Sequence, residues 1–166
     1  INKMLGKKQN GYNFSREDSQ KFDWSSLGKY ICYMTSSSDE ISSFVRSCTY
    51  DQQLIDLKNL LLWSAKHSFR VVVRHHPNLG TIGRPNEASL FLDAVHSLNS
   101  PNLLIIDPHQ DVNTYRLAYG ASFTLSPQST LSIDLPLLGF NTIVPDYSPY
   151  APFYHHVLNI DSISSF

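Results

Sequence analysis

Five short apolar runs alternate with longer stretches of helical periodicity along this chain, and that alternation restricts its fold more than any other feature. The runs are Tyr30 to Thr35, Phe69 to Arg74, Leu103 to Ile106, Ser122 to Leu125 and Thr142 to Val144, and most are rich in the β-branched and aromatic residues that suit a pleated surface. Between the first two, Asp51 reads as the N-cap of a helix reaching about Lys66, with Leu54, Leu57, Leu61 and Leu62 at helical spacing. A second helix is expected from about Asn86 to Ser97, carrying Leu90, Phe91, Ala94 and Val95. Asp111 reads as the cap of a short helix ending at Gly120, and Ser129 to Leu138 as a helix closed by Gly139. Strands separated by helices pair in parallel through crossovers, so the expected architecture is α/β, a Rossmann-like doubly wound parallel sheet of five or six strands. The leucines at 54, 57 and 61 belong to its core, not to a cofactor site.

A chain of 166 residues, 42% hydrophobic and 16% charged, is long enough to bury one core and too apolar to be disordered. The expected division is an irregular lead-in over 1–28, a Rossmann-like domain over 29–150 and a C-terminal tail over 151–166. Aromatic residues of the lead-in, Tyr12, Phe14, Phe22 and Trp24, are expected to pack on the domain. A formal net charge of −1 provides no bulk field for nucleic acid or an anionic membrane, so an anion site has to be built locally. The two cysteines, Cys32 and Cys48, lack metal-ligand spacing and make no disulfide framework, which suits a reducing, cytoplasmic setting. No apolar run has the length of a membrane span, and the opening residues are not expected to act as a signal peptide. A first residue Ile1 instead of Met is expected of a processed or excised piece of something larger.

In sheets of this kind ligands bind beyond the carboxyl ends of the strands, which selects the loops at 36–40, 75–85, 107–111, 126–130 and 145–150. One of them carries Arg74-His75-His76-Pro77 and another Ser126-Pro-Gln-Ser-Thr-Leu-Ser-Ile-Asp134. Alternate side chains of an extended segment face opposite ways, and the proline biases its predecessor to an extended backbone. Of the two histidines, His76 is therefore assigned to the ligand side, where it can donate to a phosphate oxygen and stabilise a leaving phosphate. Ser129 and Thr130 fall at an expected helix start, which suits either plain capping or an anion. Asp134, about one turn on, can accept from the two hydroxyls of a ribose. Pro127 and Pro136 depart from an ideal helix. Asp39 and Glu40 fit a solvated turn or helix cap better than an acid/base pair. Asp107, His109 and Asp111 have a superficial metal-ligand look, but Pro108 and the capping role of Asp111 offer a simpler account. The tail from Asp146 to His156, dense in aromatics and proline, fits either a cleft lining or a chain end packed on the sheet.

The order strand, His-Pro, strand, Asp-x-x-x-Thr-Tyr-x-Leu, strand, Ser-x-x-Ser-Thr-Leu-x-x-Asp, Leu-Gly, strand resembles the C-terminal, nucleotide-binding half of GT-B glycosyltransferases. It is most similar to the capsule polysaccharide group that includes Kdo and sialic acid transferases using CMP-activated sugars. The likeness spans about Lys29 to Tyr150, and extends less closely to CDP-glycerol-type polyol-phosphate transferases and UDP-sugar epimerases. It implies His76, Ser129 and Thr130 at the nucleotide phosphate, with His76 the catalytic group, Asp134 at the ribose, and the loop Asp107-Pro-His109 beside the base. Asp134 stands where many relatives carry Glu, a longer acid. The implied partners are a nucleotide-sugar donor, a glycan or glycolipid acceptor and a missing N-terminal Rossmann-like domain, with no nucleic acid. The implied scheme requires no cofactor and no metal, and places the parent protein in the cytoplasm, at the inner membrane face. The rival readings are another enzyme on the same fold, a hydrolysing or epimerising nucleotide-sugar enzyme or a CDP-glycerol-type polyol-phosphate transferase, and a non-catalytic nucleotide-binding module.

Overall fold

The computed structural model describes residues 24–41, 49–81 and 85–153. The lead-in aromatics Tyr12, Phe14 and Phe22, Cys48, and the tail beyond residue 153 lie outside them. The strands are β1 (Tyr30–Met34), β2 (Arg70–Arg74), β3 (Leu103–Ile106), β4 (Phe123–Leu125) and β5 (Thr142–Ile143). They form one sheet in the order β3-β2-β1-β4-β5, and every pairing is parallel. The helices are α1 (Ser38–Ile41), α2 (Tyr50–Lys66), α3 (Pro85–His96), α4 (Thr114–Gly120) and α5 (Leu131–Leu137). A 3₁₀ turn, Trp24–Leu27, precedes β1. No helix among the described residues is long and apolar enough to cross a membrane.

The two-residue period of the central strands splits the core into two layers. Ile31 and Tyr33 of β1 and Val71 and Val73 of β2 pack with Leu57, Leu60, Phe91 and Val95 of α2 and α3. Cys32 and Met34 of β1 and Val72 of β2 face the other way, onto Tyr115, Leu117, Leu131 and Leu135 of α4 and α5. The geometry follows from handedness. The chain steps outward from β1 through β2 to β3, then crosses to β4 and steps outward the opposite way to β5. Right-handed crossovers therefore set α2 and α3 on one face and α5 on the other. The direction reverses between β1 and β4.

Local sequence explains most boundaries and corrects several expectations. The cap of α2 is Thr49, not Asp51: its hydroxyl accepts from the Gln52 N–H at 3.1 Å, leaving Asp51 to complement the helix dipole in the first turn. Asn113, not Asp111, caps α4 by accepting from the Arg116 N–H at 3.0 Å, because buried Val112 holds the preceding segment extended. Helix α5 begins at Leu131, two residues later than expected. It ends as expected at Gly139, whose φ of +84° lets its N–H reach the Pro136 carbonyl at 2.9 Å while the Phe140 N–H reaches Leu135 at 3.0 Å, a Schellman closure. Leu62 and Leu90, read as part of the helical stripes, are 67% and 70% exposed; Leu60 fills the core instead. Gly120 ends α4 where a Cβ would lie 2.6 Å from the Tyr30 hydroxyl, and that hydroxyl donates to the Leu117 carbonyl at 2.6 Å.

Candidate functional site

Strand order reverses between β1 and β4, and the loops that follow these two strands meet at the carboxyl edge of the sheet, where doubly wound folds place their ligand crevice. Its floor is the serine run after β1. Thr35, Ser36, Ser37 and Ser38 are all buried, although their composition suggests a solvated loop. Each is held by a specific partner. The buried Gln53 side chain brackets Ser36, accepting from its N–H at 2.9 Å and donating to its carbonyl at 3.2 Å. The Ser36 hydroxyl accepts from the Gln128 N–H at 3.1 Å, tying the β1 loop to the β4 loop. The Tyr50 hydroxyl accepts from the Ser38 N–H at 3.0 Å. The Glu40 N–H then turns back to the Ser37 carbonyl at 3.1 Å, so Glu40 is carried over the crevice within α1.

After β2 the two histidines part as extended residues do. His75 is fully buried, its Nδ1 3.4 Å from the Thr35 hydroxyl and its ring edge-on to Phe91 at 5.8 Å. Burial pushes its pKa down to about 4. His76 turns toward α1. Its N–H donates to the Thr35 hydroxyl at 3.0 Å and its Nδ1 accepts from the Asn78 N–H at 3.1 Å. That bond places the ring proton on Nε2, which lies 3.5 Å from Glu40 Oε1. Burial pushes the His76 pKa down to about 4, so at neutral pH the unliganded ring is an uncharged donor.

Glu40 is where the loops meet. Its pKa is pushed up to about 7, chiefly by burial and further by the Asp39 charge, while the nearby Ser129 hydroxyl favours the ionised form. Burial, and then the Glu40 charge, raise the phenol of Tyr150 after β5. The adjacent Asp39 behaves oppositely. Burial pushes it up, but the Ser37 hydroxyl and the Asn78 amide outweigh burial and hold it below the usual range. Two neighbouring carboxyls thus differ at neutral pH, Asp39 ionised and Glu40 poised. Both residues lie in the first turn of α1, in keeping with the helix-end half of the expected solvated turn or helix cap, but Glu40 is not solvated as a turn would be: groups from the loops after β2, β4 and β5 stand around it.

The structure brings His76 and Ser129 together across about fifty residues of sequence, both beside Glu40. The other expected site residues stand apart. Thr130 is exposed, has helical dihedrals and makes no side-chain cap bond, so neither plain capping nor direct contact with the cluster describes it. Asp134 accepts from the Tyr115 hydroxyl of α4 at 3.1 Å and so faces α4. Asp107 pairs with His96 at 2.9 Å and its carbonyl accepts from Arg74 at 2.7 Å. It and exposed His109 follow β3, the edge strand, two strands removed from the crevice. Among the described residues no group of three or more His, Cys, Asp or Glu side chains is placed to hold a metal ion. Glu40 is the residue that local sequence misreads, and the one available signal was its position beyond a fully apolar strand.

No family model matches the chain, and neither a curated protein nor a solved structure is found similar to it.

Proposed function

We propose that this chain is the donor-binding domain of a glycosyltransferase that uses a nucleotide-activated sugar, a CMP-sugar by preference, for surface polysaccharide synthesis. The observation that carries the reading is the approach of the His-Pro and Ser-Thr segments to one carboxyl at the point where strand order reverses, the place where doubly wound sheets bind nucleotides. In this reading the phosphate sits between His76 Nε2–H and the Ser129 hydroxyl. As the glycosyl–phosphate bond breaks, its electron pair passes to the phosphate oxygen, and two fixed donors in a buried site stabilise that charge more than the ground state. The sugar carries oxocarbenium character until the acceptor hydroxyl attacks. Asp134, Thr130 and the loop with Asp107 and His109, which the resemblance sets at the ribose, phosphate and base, stand apart from this cluster, so the reading rests on His76 and Ser129 alone. The acceptor, a glycan or glycolipid, and the base that deprotonates it belong to a partner Rossmann-like domain; the parent enzyme would work at the cytoplasmic membrane face. No metal or cofactor enters these steps.

Calorimetric titration of the chain with CMP, CDP and UDP tests the reading. CMP is expected to bind, and His76→Ala to weaken it by about 1.5–3 kcal/mol, the range for a hydrogen bond to a charged acceptor, with the fold intact by circular dichroism and a melting point lowered only by the loss of the Asn78 N–H bond. His75 is unsuited as a control because it is buried. Equal affinities for wild type and His76→Ala would remove His76 from the site and the main support for the transferase.

A further inference from the structure

The Glu40 carboxyl is a feature that an anion site would not be expected to contain, the more so beside the ionised Asp39. Ionised, Glu40 would repel the phosphate that His76 and Ser129 are placed to hold. Three observations show how it can instead assist. First, Oε2 of Glu40 is buried and makes no hydrogen bond among the described residues, while Oε1 faces His76 at 3.5 Å and the Ser129 hydroxyl stands beside the group. A buried carboxylate oxygen without a donor is costly, whereas a carboxylic acid in the same place carries a hydrogen in search of an acceptor. Second, the proton cannot move to His76 without loss. The Nδ1 of that ring already accepts the Asn78 N–H at 3.1 Å, so charging the imidazole would set two donors against each other. Third, the neighbouring Asp39 has its own donors in Ser37 and Asn78, so it stays ionised and disfavours a second negative charge beside it.

We infer that Glu40 serves the crevice as a carboxylic acid, donating its hydroxyl to the ligand's phosphate beside His76 and Ser129, so that seating a phosphate takes up one proton. This rests on the donor-phosphate reading above and adds a residue and a proton to it. The titratable and charged groups around Glu40 are Asp39 on its own helix, His76 after β2 and Tyr150 after β5, with the Ser129 hydroxyl facing it from the β4 loop. Of these only Glu40 titrates near neutrality in the free protein: His76 is pushed down to about 4, Asp39 lies below the usual carboxylate range and Tyr150 above the usual phenol range. A bound phosphate raises the Glu40 pKa further from its free value of about 7. The sign follows. Below the free value the acid is already protonated and affinity is flat; between the free and bound values one proton must be taken up, and affinity falls by about tenfold per pH unit.

The test uses the whole chain and cytidine 5′-(methyl phosphate), a diester whose single charge does not change between pH 5 and 9. Titration calorimetry is run across that range and repeated in buffers of different ionisation enthalpy, which counts protons directly. The expected result is uptake approaching one proton above pH 7, with affinity declining as pH rises. Glu40→Gln, which keeps an uncharged donor of the same shape, is expected to bind nearly as tightly as wild type does at low pH and to lose the decline. Binding that is tight but independent of pH, or a Glu40→Gln protein that retains the wild-type slope, overturns the role of Glu40 and leaves the donor site standing. No binding at any pH overturns both. Proton uptake is measured on the wild type, so the result does not depend on how the variant folds.

Discussion

Replacing Gln53 by alanine should loosen the crevice from below. The side chain and the backbone it brackets at Ser36 are both fully buried, and truncation strands one N–H and one carbonyl that had bonds of 2.9 and 3.2 Å. An unsatisfied buried group costs about 1–3 kcal/mol, so two give roughly 2–6 kcal/mol. A water entering the vacated space would recover part of this, and the expected loss is about 2–4 kcal/mol. For a chain of this size that corresponds to a melting point lower by about 5–15 °C. Urea unfolding followed by far-ultraviolet circular dichroism, with an unchanged slope, is the assay. Gln53→Glu probes the same bracket from the other side. It keeps an acceptor for the Ser36 N–H but presents a carboxylate to the Ser36 carbonyl, so its folded pKa must rise above the unfolded value of about 4.3. Its stability should be greatest in acid and decline as pH climbs from the unfolded toward the folded pKa. A Gln53→Ala protein within about 0.5 kcal/mol of wild type, the range of an inconsequential surface change, would refute the claim that this side chain holds the loop.

Two further outcomes follow from the packing. Cys32 is fully buried and its thiol is raised well above the ordinary value, burial outweighing the nearby Arg74 charge, so it should resist alkylation in the native protein and react once urea unfolds it, as peptide mass mapping would show. Gly120→Ala should cost about 1–3 kcal/mol because its Cβ would press on the Tyr30 hydroxyl, and Tyr30→Phe should cost less in that background than alone, the coupling being read from a double-mutant cycle.

The layers of this fold were legible because burial on both faces writes a strand as an unbroken apolar run, and all five runs became strands within a residue or two. Helix starts were less legible. Asp51 and Asp111 are good caps by composition, yet Thr49 and Asn113 hold the positions because the cap depends on where the preceding segment turns. Leu62 and Leu90 show the limit of periodicity: an apolar residue at helical spacing is an exposed one when the stripe is wider than the face it covers. Glu40 was the harder case. Its surroundings come from the loops after β2, β4 and β5, and no local pattern records that a charged residue in a serine-rich turn will lie beside His76 and Ser129. The pairing of those two segments was readable only through the rule that strand ends gather ligands.

The central position of β1 also has a consequence for the order in which the protein is made. One flank of β1 is covered by β2 within about forty residues, but the other waits for β4, some ninety residues downstream. A nascent chain that has emerged only through β3 would expose the Ile31–Tyr33 edge, with a row of unpaired amides ready to recruit another strand. The bond from the Gln128 N–H to the Ser36 hydroxyl can form only after that edge is closed. The ligand crevice is therefore among the last parts to be completed during synthesis, and truncation before β4 should leave an aggregation-prone remnant in place of a smaller working domain.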